Sequence, residues 1–156
     1  MEFRAARPGE ADELGRLVLG GVAHWGHDVN FPGAVASLKE HDMPTAAFIE
    51  ANTVEALVGD GRVVGFYSLV DEPEFVDLVH MFLAVDRIGA GDGRRLFERA
   101  TSVARGRADR MRILSDPAAK GFYAAMGANL EREIEAAPGF LLGLMWFDLG
   151  DRTDAR

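Results

Sequence analysis

Two histidines and a tryptophan stand within four residues of one another in the segment His24-Trp25-Gly26-His27. An imidazole binds metal ions and exchanges a proton near neutral pH, and an indole face attracts cations. The segment lacks both the glutamate and the spacing of the zinc-protease motif His-Glu-x-x-His. These residue types leave four interpretations open: a metal site, a proton acceptor, a substrate pocket or the end of a helix.

A second pair of candidate residues, Asp77 and His80, lies on a segment with the apolar, β-branched composition of a strand, residues 74–85. Residues three apart on a strand face opposite sides unless a bulge intervenes, so the spacing predicts that only one of them faces a given site. An imidazole titrates near neutral pH and can act as a base, whereas a carboxylate can hold a cationic amine. His80 is equally a candidate for a hydrogen-bonded structural histidine.

A glycine-rich loop, Ile88-Gly89-Ala90-Gly91-Asp92-Gly93, joins that strand to an amphipathic segment over residues 94–107. Glycines let backbone N–H groups turn toward a ligand, and the N-terminus of a helix carries a partial positive charge. Arg94 and Arg95 add fixed positive charge in the first turn. The pattern therefore predicts an anion site, with a solvated turn as the alternative. It is not a Walker loop, because no Gly-Lys-Ser/Thr follows, and a dinucleotide motif would need glycine at Arg94.

Hydrophobic periodicity predicts the elements that position these residues. Predicted helices cover residues 9–25, 33–41, 94–107 and 116–128, with Trp25 on the core-facing stripe of the first, Thr45 capping a turn over 46–51, and Asp116 as N-cap before Pro117. Predicted strands cover residues 2–7, 53–58, 62–70, 74–85, 110–115, 129–135 and 140–149. The order β-α-α-β-β-β-α-β-α-β-β predicts an α/β domain with a mixed sheet and helices on both faces. We expect one domain over 1–149 and a polar tail over 150–156.

Composition limits the function further. The chain of 156 residues has no cysteine and a net charge of −8. The absence of cysteine excludes disulfides, zinc fingers and thiol nucleophiles, and it fits a cytoplasmic protein. The net charge argues against nucleic acid as a partner and favours cationic substrates such as amines. No apolar run approaches the roughly 20 residues of a membrane span, and no secretory signal is visible.

Two separated blocks of this chain resemble the GNAT superfamily of N-acetyltransferases. That family binds a pyrophosphate with Gln/Arg-x-x-Gly-x-Gly/Ala, and Gly91 and Gly93 match, whereas Ile88 and Asp92 depart from the pattern and Arg87 stands one residue early. The second block resembles the family pattern Asn/Asp-Pro-x-Ala-x-x-Phe-Tyr-x-x-x-Gly. Its matching residues are Asp116, Pro117, Ala119, Phe122, Tyr123 and Gly127.

The resemblance implies the GNAT fold, a mostly antiparallel mixed sheet of about seven strands flanked by about four helices. It implies transfer of an acetyl group from acetyl-CoA to a primary amine of a small molecule or peptide, by direct attack in a ternary complex and without a metal. The implied acyl-CoA site consists of the backbone of Phe82, Leu83, Ala84 and Val85, of Ile88, Gly89, Ala90, Gly91, Asp92, Gly93 and Arg94, and of Asp116, Ala119, Phe122 and Tyr123.

The resemblance also assigns roles. Tyr123 becomes the acid near the leaving thiolate, and either Asp77 or His80 the base. His24, Trp25 and His27 become a wall of the acceptor pocket. A homodimer formed through the last strand is a further expectation. Two other functions stay open: an acyl-CoA-binding sensor or interaction module without catalysis, and a metal-dependent hydrolase supported only by the histidines.

Overall fold

Seven segments of alternating or continuous apolar character pair into one sheet. The computed structural model describes residues 1–150, so residues 151–156 of the predicted tail lie outside the described part. The strands are β1 Glu2–Ala5, β2 Thr53–Gly59, β3 Arg62–Asp71, β4 Val76–Leu83, β5 Arg110–Ser115, β6 Asn129–Ala137 and β7 Phe140–Asp148. Their order across the sheet is β1-β2-β3-β4-β5-β7-β6. Every neighbouring pair is antiparallel except β4 and β5, which confirms the predicted mixed, mostly antiparallel sheet.

Six helices accompany the sheet within residues 1–150, two more than the predicted number. They are α1 Ala11–His24, α2 His27–Asn30, α3 Pro32–His41, α4 Ala46–Ala51, α5 Asp92–Ala104 and α6 Lys120–Ala125. The short α4 follows the predicted cap, since Thr45 Oγ1 accepts a hydrogen bond from the Phe48 N–H at 3.1 Å. The chain turns at Gly26 with φ of 74°, a left-handed conformation that glycine adopts freely, and α2 starts directly afterwards. None of these helices is long and apolar enough to cross a membrane.

The helices cover the sheet on both faces and create two cores. On one face α5 and α6 bury the larger core, to which Leu96, Phe97 and Tyr123 contribute. On the other face α1 and α4 bury a smaller core around Leu14 and Phe66. Burial of these apolar faces is the main favourable contribution to folding.

Three local predictions are corrected. Helix α6 begins at Lys120 rather than at Pro117, because Asp116 Oδ1 accepts from the Ala118 N–H at 2.7 Å and the Ala119 N–H donates to the Asp116 carbonyl, which closes a turn first. Trp25 is 46% exposed rather than packed in the core, because α1 ends at His24 before the stripe reaches it. The last strand, β7, lies between β5 and β6, so it has no free edge for a second copy. The homodimer itself stays a prediction.

A bulge in β4 changes how its side chains are distributed. Ser68 pairs with His80 and Leu69 pairs with Leu78, so Val79 has no partner on β3. The extra residue resets the alternation of side chains. Asp77 and His80 therefore share the α1 face of the sheet, although a regular strand would place them on opposite faces.

Candidate active site

The two central parallel strands diverge and leave a cleft at their C-terminal ends. Strand β4 pairs with β5 only over Val76–Leu78, opposite Met111–Ile113. Beyond this point β4 remains bonded to β3, as the Ala84 N–H donates to the Val64 carbonyl at 2.8 Å. Alternation along an antiparallel ladder turns the polar groups of Leu83 to the opposite, open side. The predicted backbone segment Phe82–Val85 thus borders the cleft and offers an unpaired edge.

The predicted anion loop lies at the end of β4 and leads into α5. Gly89 and Gly91 have φ of 88° and 90°, backbone conformations that residues other than glycine adopt only with strain. Within residues 1–150, Arg95 is the first residue of α5 whose N–H donates to a backbone acceptor, the Gly91 carbonyl oxygen at 3.3 Å. The N–H groups of Asp92, Gly93 and Arg94 stay available. Together with the helix dipole, they form a cradle suited to an anion such as a phosphate.

Asp92, the acidic residue in this loop, turns away from the cradle. Its side chain is 3% exposed, and its Oδ2 lies 2.8 Å from both Nε and a terminal nitrogen of Arg87. Arg95 contributes a more distant contact of 3.7 Å. Arg87, one residue early for the family pattern, therefore neutralises a buried carboxylate. Arg94 is the loop's most accessible cation, since its side chain is 65% exposed and its contact with Glu98 is 3.6 Å long.

Helix α6 brings the second sequence block against the loop. A Cβ atom added to Gly93 would lie 3.5 Å from the Phe122 ring, so the helix and loop are in direct contact. Tyr123 is buried beside Phe97 and Phe122, with ring centroids 5.8 and 5.3 Å away. Burial, aided by the negative charge of Asp116, raises the pKa of the Tyr123 phenol well above its ordinary range. The phenol therefore stays protonated and is a hydrogen-bond donor.

His80, one of the two predicted bases, is held at both ring nitrogens. Nδ1 lies 2.7 Å from Ser68 Oγ, and Nε2 lies 2.7 Å from the Asp42 carbonyl oxygen. A carbonyl accepts only, so Nε2 carries the proton and the Ser68 hydroxyl donates to Nδ1. The side chain is 4% exposed, and this burial lowers its pKa. The geometry is that of a neutral structural histidine which ties the α3–α4 connection to the sheet.

Asp77, the other predicted base, is also engaged. Its two carboxylate oxygens accept from Arg112, with Oδ1 3.2 Å from Nε and Oδ2 2.7 Å from a terminal nitrogen. The Arg112 guanidinium stacks in turn on Phe75, 4.8 Å from the ring centroid. Asp77 raises the pKa of Arg112 by this bidentate hydrogen bond, so the guanidinium stays charged. The sequence does not predict the contacts of Ser68 and Arg112, because nothing in their spacing connects them with β4.

The segment His24-Trp25-Gly26-His27 separates its two histidines. His24 is exposed and packs edge-on against Trp25, with ring centroids 4.7 Å apart. His27 is 7% exposed and lies between Phe31 and Phe140. Its Nε2 is 2.7 Å from Asp116 Oδ2. Within residues 1–150, no group of three or more histidines, cysteines or carboxylates could hold a metal ion.

This contact joins two motifs that lie far apart in the sequence. His27 was predicted to face the acceptor, and Asp116 to lie in the acyl-CoA site. The α1–α2 turn explains how they meet, because α1 packs closely on the end of β4. A Cβ atom on Gly21 would lie 3.2 Å from the Phe82 ring. The turn then crosses to the end of β5, where Asp116 follows Ser115. It therefore spans the open ends of the two diverging strands.

No protein-family model matches the chain, and no curated protein matches it significantly. Solved structures match it closely in shape. A GCN5-related N-acetyltransferase from Rhodopseudomonas palustris is 18% identical, with 94% of each chain covered and a TM-score of 0.76. The PaiA N-acetyltransferase from Thermoplasma acidophilum, in complex with coenzyme A, is 13% identical, with 94% of this chain and 98% of that chain covered and a TM-score of 0.73. An aminoglycoside 6′-N-acetyltransferase complexed with coenzyme A is 15% identical, with coverage of 99% and 100% and a TM-score of 0.70. The diverging strands, the glycine loop and these neighbours together establish that the chain has the fold of the GNAT superfamily of N-acetyltransferases.

Proposed function

We propose that this protein is an N-acetyltransferase that transfers the acetyl group of acetyl-CoA to a primary amine of a small molecule or peptide. The observation that carries the proposal is the cleft between β4 and β5, with an unpaired strand edge along it and an anion cradle at its end. An extended amide-containing arm ending in a pyrophosphate fits this arrangement. The neighbours that were crystallised with coenzyme A have the same fold.

Each part of the cleft has a chemical task in this proposal. The N–H groups of Asp92, Gly93 and Arg94 bind the pyrophosphate, and the Arg94 guanidinium adds a charged contact. The Leu83 backbone binds the pantetheine arm and donates to the carbonyl where negative charge develops. Acetyl-CoA supplies an activated acetyl group as its thioester. Tyr123, protonated at all physiological pH values, gives a proton to the departing sulfur.

The acceptor side of the cleft is formed by the α1–α2 turn and the exposed part of the α1 face. Trp25 and His24 are exposed there, and an exposed indole can hold a cationic amine. The net charge of −8 favours the same class of acceptor. A free amine on a polyamine, an amino acid, an aminoglycoside or a peptide N-terminus meets these requirements.

One observation favours a second candidate, an acyl-CoA-binding module without turnover. The glutamine or arginine of the family pattern's first loop position is replaced by Ile88, and Arg87 is bound to Asp92. The cradle then depends on backbone N–H groups and Arg94 alone, which favours weaker binding of a phosphate group.

Thiol release with a panel of amines tests the proposal. The panel contains spermidine, L-lysine, kanamycin and a peptide with a free N-terminus, each at saturating acetyl-CoA. Acetyl-CoA at about 100 times its Kd should also stabilise the fold by about 2.7 kcal/mol, seen as a higher Tm. A higher Tm without thiol release favours the binding module. If no amine releases thiol and acetyl-CoA leaves Tm unchanged, both candidates are overturned.

A further inference from the structure

The sequence leaves the proton acceptor of the proposed reaction open between two residues. In the structure, both of them are hydrogen-bonded to other groups. His80 uses both ring nitrogens, and Asp77 is bound by Arg112. A third group of titratable residues is found at the mouth of the cleft. We propose that Asp116 accepts the proton of the acceptor amine and that His27 is the residue that positions it. This inference rests on the proposed function and deepens it.

The first supporting observation is the state of His27. Its ring is more than nine-tenths buried, yet neither nitrogen makes an aligned hydrogen bond within residues 1–150. Nδ1 has no polar partner there, and Nε2 has only the 2.7 Å contact with Asp116 Oδ2. A buried imidazole without satisfied partners costs stability, and a role in the site is a reason for such a residue to be present. The edge contacts with Phe31 and Phe140 fix the ring in this position.

The second observation is the state of Asp116. Its side chain is 35% exposed, although one oxygen is held by the Ala118 N–H and the other lies against His27. The carboxylate is therefore oriented by two contacts and still accessible to solvent. Because β4 and β5 are parallel and diverge toward their C-terminal ends, Asp116 stands where the cleft opens. An ammonium group arriving there meets a fixed negative charge.

The third observation links Asp116 with the acid. The charge of Asp116 contributes to the raised pKa of Tyr123, so the two groups are close enough to interact electrostatically. A carboxylate close to a group that keeps its proton is a common arrangement for acid–base catalysis. The transfers balance: the ammonium first gives one proton to water, and the neutral amine nitrogen then loses a second proton to Asp116 as it bonds to the acetyl carbon. The sulfur gains a proton from Tyr123 as the carbon–sulfur bond breaks.

His27 acts through Asp116 because its nitrogens are closed to solvent. The groups in contact with this pair come from several elements. Phe31 follows α2 and Phe140 begins β7, and neither is charged. Tyr123 on α6 is the titratable group that Asp116 influences. Within the described residues, Asp116 is the only charged side chain recorded within 4 Å of the His27 nitrogens. The pH dependence of the reaction should therefore change when either member of this pair is replaced.

Asp116→Asn is the decisive variant, because the family pattern accepts asparagine at this position and the amide can still accept from the Ala118 N–H. With the best amine of the panel, we expect kcat/KM to fall about 100-fold and the acidic limb of its pH profile to disappear. His27→Gln should lower kcat about tenfold and shift that limb, with the affinity for acetyl-CoA changed less than twofold. Calorimetry without acetyl-CoA should show at least tenfold weaker binding of the same amine to Asp116→Asn.

His41→Gln serves as the control, since this histidine is exposed and its one ion-pair contact recorded within residues 1–150 is with the neighbouring Glu40 at 3.7 Å. Its rate, pH profile and amine affinity should match the wild type. If the wild-type protein turns over an amine while Asp116→Asn and His27→Gln, both folded by circular dichroism, keep its rate and pH profile, this inference is overturned alone. If no amine of the panel releases thiol with the wild type, the proposed function is overturned and this inference with it.

Discussion

Tyr123 offers the most direct test of chemistry at a single residue. Its hydroxyl takes part in none of the hydrogen bonds recorded within residues 1–150, and its ring is packed by Phe97 and Phe122. Tyr123→Phe should therefore leave Tm within a few degrees while kcat falls about 100-fold or more, the usual size of a lost general-acid contribution. Thiol-release assays measure kcat, and thermal melts measure Tm. A variant as fast as the wild type would remove Tyr123 from the mechanism.

His80 should control stability in mild acid rather than catalysis. Burial lowers its pKa below the ordinary value of about 6.5, so below that pH the unfolded chain binds a proton that the folded chain does not. The free energy of unfolding contributed by His80 is present above about pH 6.5 and declines as the pH falls toward the lowered pKa. We expect Tm to decrease between pH 7.5 and 5.5.

His80→Gln separates this contribution from that of other groups. Loss of the contacts with Ser68 and Asp42 should reduce the stability at pH 7.5 by about 1–3 kcal/mol. The further decrease of Tm toward pH 5.5 should be smaller in this variant than in the wild type, whereas His41→Gln should follow the wild type throughout. Equal slopes in all three proteins would contradict the assignment.

At the scale of elements, the loop before α5 divides its arginines between two tasks. Arg87 neutralises the buried Asp92, and Arg94 extends into solvent beside the cradle. Arg87→Ala should cost about 1–3 kcal/mol of stability, because it leaves a carboxylate buried with only the distant Arg95 nearby. Arg94→Ala should leave Tm unchanged and weaken acetyl-CoA binding about tenfold. Thermal melts and calorimetry on both variants check this division, and the opposite pattern would reverse it.

The order of helices and strands along the chain and the positions of the two sequence blocks were predictable because periodicity and glycine spacing are local signals. The partners of the candidate bases were not. A bulge at Val79 places Asp77 and His80 on the same face of the sheet, and no residue type in the sequence predicts that bulge. The contact of His27 with Asp116 depends on how α1 crosses the end of β4, which is a matter of tertiary packing. Both residues are predicted from sequence as site candidates, but the sequence does not show that they touch.

At the scale of the molecule, the sheet opens in its middle and carries charged side chains on its β6 edge. The interior gap between β4 and β5 offers backbone groups to a ligand, while the edge strand β6 carries exposed glutamates at 131, 133 and 135. Charges on an edge discourage pairing with another chain. The same acidic surface produces a field that attracts cations from a distance, with the anion cradle of α5 as a local positive exception.

That field predicts how salt affects different acceptors. With acetyl-CoA saturating, raising the salt from about 10 mM to about 1 M shortens the Debye length from about 30 Å to about 3 Å. The kcat/KM of a polycation such as spermidine should fall tenfold or more, because attraction by the net charge of −8 is screened. For L-serine, a zwitterion without net charge, the change should stay within about twofold. Initial rates at each salt concentration measure both. Equal salt dependence for the two acceptors would mean that the charge serves solubility and takes no part in selecting the amine.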